Sequence, residues 1–150
     1  MVKTQRKMRL CITLLALNLI FIWGNSLLPG SVSGAVSQWL RDLLATLFPG
    51  GSADPNAGHG LLRKLAHFTE FACLGALFAW LFGMLRKQAI FALLCGFAAA
   101  SIDETIQRFV PGRGPSFWDV LIDTSGVLTG IIFLFLGHTV SKKILEDRTV

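Results

Sequence analysis

The sequence predicts an all-α integral membrane protein with four transmembrane helices and one amphipathic helix lying in the outer membrane interface. Three observations carry that prediction. The 150 residues are 53% hydrophobic and only 15% charged, whereas soluble domains carry about a quarter charged residues. Four apolar stretches each approach the ~20 residues that a helix needs to cross a bilayer. Basic residues gather beside those stretches and form no face interleaved with aromatics, so the net charge of +5 points to orientation in a membrane and away from nucleic acid. At this length the chain is a single membrane domain, 1–150, without room for a separate soluble unit.

The predicted spans are 8–28, 61–85, 88–110 and 117–138. Lys3, Arg6, Lys7 and Arg9 precede a short apolar core in the first, and Ser31-Val32-Ser33 resembles a small-residue cleavage site, so a cleavable signal peptide is the alternative to a retained span. Either outcome puts the next segment outside. With the N-terminus inside, nine basic residues fall on the inner side: Lys3, Arg6, Lys7, Arg9, Arg86, Lys87, Lys142, Lys143 and Arg148. Five fall outside, namely Arg41, Arg63, Lys64, Arg108 and Arg113. The excess predicts both termini in the cytoplasm.

Pro29-Gly30 ends the first span. Over 32–48, Val32, Val36, Trp39, Leu40, Leu43, Leu44, Leu47 and Phe48 recur at helical spacing, with Ser33, Ser37, Gln38, Arg41 and Asp42 off the stripe. The segment is too polar to span. It is expected in the outer interface with Trp39 at headgroup level, or packed against the other helices. Residues 49–60, rich in Gly, Pro, Asp and Asn, predict an outer loop. Cys11, Cys73 and Cys95 lie in apolar runs without CxxC spacing and are expected to be small core residues, not a disulfide framework.

The ionisable residues are distributed unevenly. Glu70, Asp103, Glu104, Asp119 and Asp123 lie within or at the ends of spans, where carboxylates are costly and normally paired and functional. The predicted topology brings His67 and Glu70 of the second span, Asp103, Glu104 and Gln107 of the third, and Asp119 and Asp123 of the fourth to one depth in the outer half of the bilayer. Arg63, His67 and Glu70 form one helical stripe. Asp103 and Gln107 share a face with Gly96, Ala99 and Ala100. Asp119 and Asp123 align with a Gly126/Gly130 GxxxG face, and such small residues favour close helix approach. Five acids against Arg63, Lys64, Arg108 and Arg113 leave about −1, so an ion-paired structural cluster is the competing reading. The Pro- and Gly-rich segment 110–116 predicts a tight hairpin with Ser116 capping the fourth span. It sets Arg113 above the cluster, where a guanidinium suits a carboxylate or phosphate.

These residues resemble the signature of the VanZ-like family. The second-helix pattern is matched by Lys64-Leu65-Ala66-His67-Phe68-Thr69-Glu70-Phe71 with Leu74-Gly75 following. The third and fourth helices match at Asp103-Glu104, Gln107, Phe109, Pro111, Arg113, Asp119, Gly126 and Gly130. The likeness covers roughly 61–132, more loosely the first span with Asn25-Ser26. Asp123 departs from the family pattern, which usually has Asn there, and the added carboxylate would change the charge or ion preference of the site. The resemblance implies a bacterial cytoplasmic-membrane protein associated with reduced susceptibility to teicoplanin and related glycopeptides. It implies no settled activity.

Several functions are expected on these grounds. The first is a site for a lipid headgroup or lipid-linked cell-wall precursor. Arg63, Lys64, Gln107, Arg113 and Asp123 would bind there, with His67, Glu70, Asp103, Glu104 and Asp119 as catalytic candidates. The second is a metal site, since one histidine among carboxylates favours a hard cation such as Mg or Mn, although the nearby basic residues would compete for those carboxylates. The others are a non-enzymatic envelope or partner protein and a proton-coupled transporter. Four spans are few for alternating access, an objection that a homodimer would soften. No cofactor is identified.

Overall fold

The computed structural model describes residues 2–47, 59–114 and 116–147. Five helices follow one another: α1 (Val2–Ser26), α2 (Gly30–Leu47), α3 (His59–Met84), α4 (Ala89–Gln107) and α5 (Phe117–Asp147). Four segments, Lys3–Ser26, Leu61–Met84, Ala89–Gln107 and Phe117–Ser141, are long and apolar enough to cross a membrane. The shortest has 19 residues, and at ~1.5 Å per residue it matches a hydrocarbon core of about 30 Å. The predicted span class and order are therefore those observed.

The differences lie at the ends. Nothing in the basic N-terminal segment breaks a helix, so α1 begins well before residue 8. The third span stops at Gln107 and continues as tight turns, Phe109 N–H to Ile106 and Val110 N–H to Gln107, because Pro111 disfavours helical backbone before it. α5 meets no breaker and runs past residue 138 to Asp147. Of the predicted loop, 49–58 lies outside the described residues, and His59 already opens α3. At the other end of α3 the backbone turns at Arg86, whose φ of 53° is left-handed, and the Lys87 N–H bonds back to the Phe82 carbonyl. That is a Schellman-type stop with arginine at the usual glycine position.

α3 packs most extensively against α5, and also against α1 and α4. In lipid no hydrophobic force draws helices together, so close backbone contact must hold them. Gly126 lies against the Phe68 carbonyl, Gly130 against the Ala72 carbonyl, and Gly75 against the Val127 backbone. Across α4, Gly96 accommodates the Val127 side chain. Cys11, Leu15 and Ile22 of α1, Phe71 and Leu74 of α3, and Ala99 and Ala100 of α4 join Val127 and Ile131 in the core. Large apolar residues such as Leu17, Ile20, Phe97 and Phe133 face outward. The cysteines are free, yet only Cys11 is buried; Cys73 is exposed, because the outer surface of a membrane bundle is as apolar as its interior.

α2 is one helix as expected, with the Pro29 carbonyl accepting from Val32 and Ser33. Its Val32, Trp39 and Leu43 side chains are exposed, although the helix does contact α3. The α1–α2 junction is seated on the α4–α5 hairpin: the Gly30 N–H donates to the Pro111 carbonyl at 3.1 Å. A side chain at Gly30 would strike the Gly112 backbone, and Gly112 itself has a φ of +73°.

Gly130→Val should destabilise the protein by about 1–3 kcal/mol through forced separation of α3 and α5. Gly137→Ala, in open space, should stay within about 0.5 kcal/mol of the parent. Thermal unfolding of both variants in the same detergent checks this.

Candidate functional site

At the end of the bundle where α1 and α4 finish and α3 and α5 begin, polar side chains from four helices meet. The predicted layer is present. Its organising group is Asp103, fully buried on α4. The Ser26 hydroxyl donates to its Oδ1 at 2.6 Å, and Gln107 Nε2 donates to Oδ2 at 2.8 Å. Gln107, one turn below, also reaches Ser26 Oγ at 3.4 Å. Both partners are themselves buried. The contact explains why α1 packs in register with α4, which the Trp23 indole N–H bonding to the Ala99 carbonyl also secures.

His67 brings α3 to this centre. Its Nδ1 stands 3.8 Å from Asp103 Oδ2 and 3.8 Å from Asp123 Oδ2. Those separations exceed a hydrogen bond, so the three groups face a common gap. Asp123 is 1% exposed, and among the described residues neither of its carboxylate oxygens has a hydrogen-bond partner. His67 and Asp123 also line a recess of about 10 Å³ with Arg63, Lys64, Glu104, Gln107, Asp119 and Ile122. That is room for roughly one water-sized sphere.

On the other side of His67 lies a different space. A recess of about 390 Å³ opens between α1 and α3, lined by Phe21, Leu28 and Ala66 together with Asn25, Ser33, Arg63, His67, Glu70 and Arg113. The predicted Arg63/His67/Glu70 stripe forms its polar wall. Glu70 Oε1 accepts from Asn25 Nδ2 at 3.3 Å, while its Oε2 is buried without a partner. Glu70 thus turns toward α1 and away from the Asp103 centre.

Three candidates have structural duties that the sequence did not reveal. Glu104 Oε2 accepts the Ser116 N–H at 2.9 Å and so ties the end of α4 to the start of α5. Ser116 caps α5 as expected, its hydroxyl accepting from the Trp118 N–H. Lys64 and Asp119 form an ion pair at 3.5 Å, with Lys64 Nζ well exposed.

Arg113 also has a structural duty. Its Nη2 donates to the Asn25 carbonyl at 3.0 Å and its Nε to the Leu28 carbonyl at 3.2 Å. The guanidinium therefore clamps two carbonyls at and just beyond the C-terminal end of α1, where positive charge is favoured. Only Nη1, buried and unpartnered, is spare for a ligand. Burial, aided by the charge of Arg63, lowers the Arg113 pKa from its ordinary value, while Asp103, Glu104 and Glu70 oppose that shift. Arg108, counted in the sequence's charge balance, is exposed and lines a separate surface recess with Glu104 and Ser116.

The sequence reading left Ser26 and Asn25 out of the site. Their signal was an adjacent polar pair ending an apolar span. An Asn-Ser pair there looks like an ordinary helix end until α1 is docked beside Asp103 and Glu70.

Ser26→Ala should cost about 1–3 kcal/mol of stability by removing a donor from a buried carboxylate. Denaturant unfolding in mixed micelles checks this, with surface Ser125→Ala as the reference.

The motif residues of α3, α4 and α5 converge on one physical centre. No curated protein and no solved structure shows significant similarity to the chain. The sequence model of the VanZ/LLP1 family matches residues 5–138, first span included, and the chain belongs to that family.

Proposed function

We propose that this protein binds the phosphate-bearing head of a membrane lipid or lipid-linked cell-wall precursor in the recess between α1 and α3. The single observation that carries this reading is the make-up of that recess. Its volume of about 390 Å³ is of ligand size. Apolar Phe21, Leu28 and Ala66 and cationic Arg63 and Arg113 share its lining, which is the division an amphiphile presents. Arg63 and the spare Nη1 of Arg113 would hold the phosphate. His67 and Glu70, on the same wall, would exchange a proton with the bound head.

The positive-inside bias orients the site toward the outer face of a bacterial cytoplasmic membrane, with both termini in the cytoplasm. The exposed apolar residues of α2 suit an interfacial helix beside the recess mouth. Glycopeptides of the teicoplanin type bind cell-wall precursors on that same side, so handling such lipids there would lower susceptibility to the drug. Lys64, Glu104 and Asp119 support the site more than they serve it, because each has a structural partner.

Lipid mass spectrometry on protein purified in native membrane particles should find a defined phospholipid or polyprenyl phosphate. Arg63→Ala should reduce its occupancy about tenfold or more, the loss of one charge-assisted hydrogen bond. Equal lipid content in wild type and Arg63→Ala would sink the reading. In cells, His67→Ala should insert normally yet lose teicoplanin tolerance.

A further inference from the structure

The small recess on the opposite side of His67 is not used by the lipid reading. We propose that it is a site for one hard divalent cation, Mg²⁺ or Mn²⁺, held by His67 Nδ1 and the carboxylates of Asp103 and Asp123.

The ligand atoms of these three residues all lie within 4.8 Å of one another. Two ligands about 2.1 Å from an octahedral ion stand between about 3 and 4.2 Å apart. The 3.8 Å separations of His67 Nδ1 from both carboxylates fall in that range, and they are too long for the groups to satisfy each other. Asp123 supplies an independent sign of a missing partner. It is 1% exposed, faces the recess, and among the described residues has no hydrogen bond to either oxygen. A buried polar group in that condition requires a counterpart.

Asp103 is prepared differently. Ser26 and Gln107 fix both of its oxygens, leaving Oδ2 directed at the gap. Hydrogen-bonded carboxylates with such outer partners are the usual construction of a metal ligand. Two carboxylates and one divalent cation are also neutral together, which removes the charge that hydrocarbon disfavours.

Two of the four basic residues predicted to compete are engaged elsewhere, while Arg63 lines the same recess. Lys64 pairs with Asp119, and Arg113 is committed to the Asn25 and Leu28 carbonyls. Among the described residues, no Lys or Arg forms an ion pair with Asp103 or Asp123. One imidazole with carboxylate oxygens selects a hard cation over a thiolate-preferring one. The sequence had suggested one histidine among carboxylates. Of those carboxylates Asp103 and Asp123 stand beside His67, while Glu70 turns to Asn25.

Mn²⁺ titration of the full-length protein in nanodiscs, followed by electron paramagnetic resonance, tests the site. About one Mn²⁺ per chain should bind, displaceable by Mg²⁺. The near-isosteric Asp123→Asn should weaken binding about tenfold or more, and Ser26→Ala about 10–100-fold through Asp103. Glu70→Gln, which alters the lipid recess alone, should keep the ion. Mn²⁺ should also raise the thermal transition of the parent and leave that of Asp123→Asn unmoved. Absence of stoichiometric binding in the parent, or unchanged affinity in Asp123→Asn, overturns the proposal. Should Asp123→Asn fail to insert, His67→Gln gives the same comparison, and unchanged affinity there has the same meaning. Lipid lost in Arg63→Ala with the ion kept in Glu70→Gln upholds both readings. Lipid unaffected in Arg63→Ala defeats the lipid reading alone.

Discussion

A carboxylate buried among apolar helices must be given partners, and Asp103 is where this bundle meets that requirement. With Ser26 on one oxygen and Gln107 on the other, the hydrogen bonds join the end of α1 to α4 at a fixed depth. The same carboxylate then fixes where His67 and Asp123 can stand. Such a network specifies register more than it adds stability, since ion-containing cores often only break even against apolar ones. Packing supplies the rest: glycines on α5 bring its backbone onto α3, so that Asp123 and His67 meet over a single recess.

The hairpin and the α1–α2 junction form a second constraint on the same end. Arg113 bonds the Asn25 and Leu28 carbonyls at the end of α1, Gly30 donates to Pro111, and Gly112 leaves no side chain in the way. Glu104 secures the hairpin from below by holding the Ser116 N–H. These contacts make the roof of the polar layer a bonded unit. They also divide the space under it, with His67 as the partition between an amphiphile-sized recess and an ion-sized one.

That division separates two kinds of chemistry. The wider recess combines cations with apolar walls, as a phosphate-bearing lipid requires. The narrower one concentrates acids around one imidazole. A shared histidine wall means that occupancy on one side affects the charge felt on the other, at distances where screening by water is weak.

Span number, span order and the depth of the ionisable residues were legible in the chain. Hydrocarbon allows only long apolar helices, and charges in such helices cannot be scattered at random. The 3.6-residue repeat also fixed which residues share a face, so the Arg63/His67/Glu70 stripe and the Gly126/Gly130 face could be read directly. Helix-to-helix partnership was not legible. Periodicity says what one helix presents but not what its neighbour offers at that height. Hence Ser26 and Asn25 passed as a helix end, the bonds from Arg113 to the Asn25 and Leu28 carbonyls went unforeseen, and Glu70 was grouped with the acids it faces away from. Tertiary structure alone decided those pairings, because each depends on the rotation and axial offset of one packed helix against another.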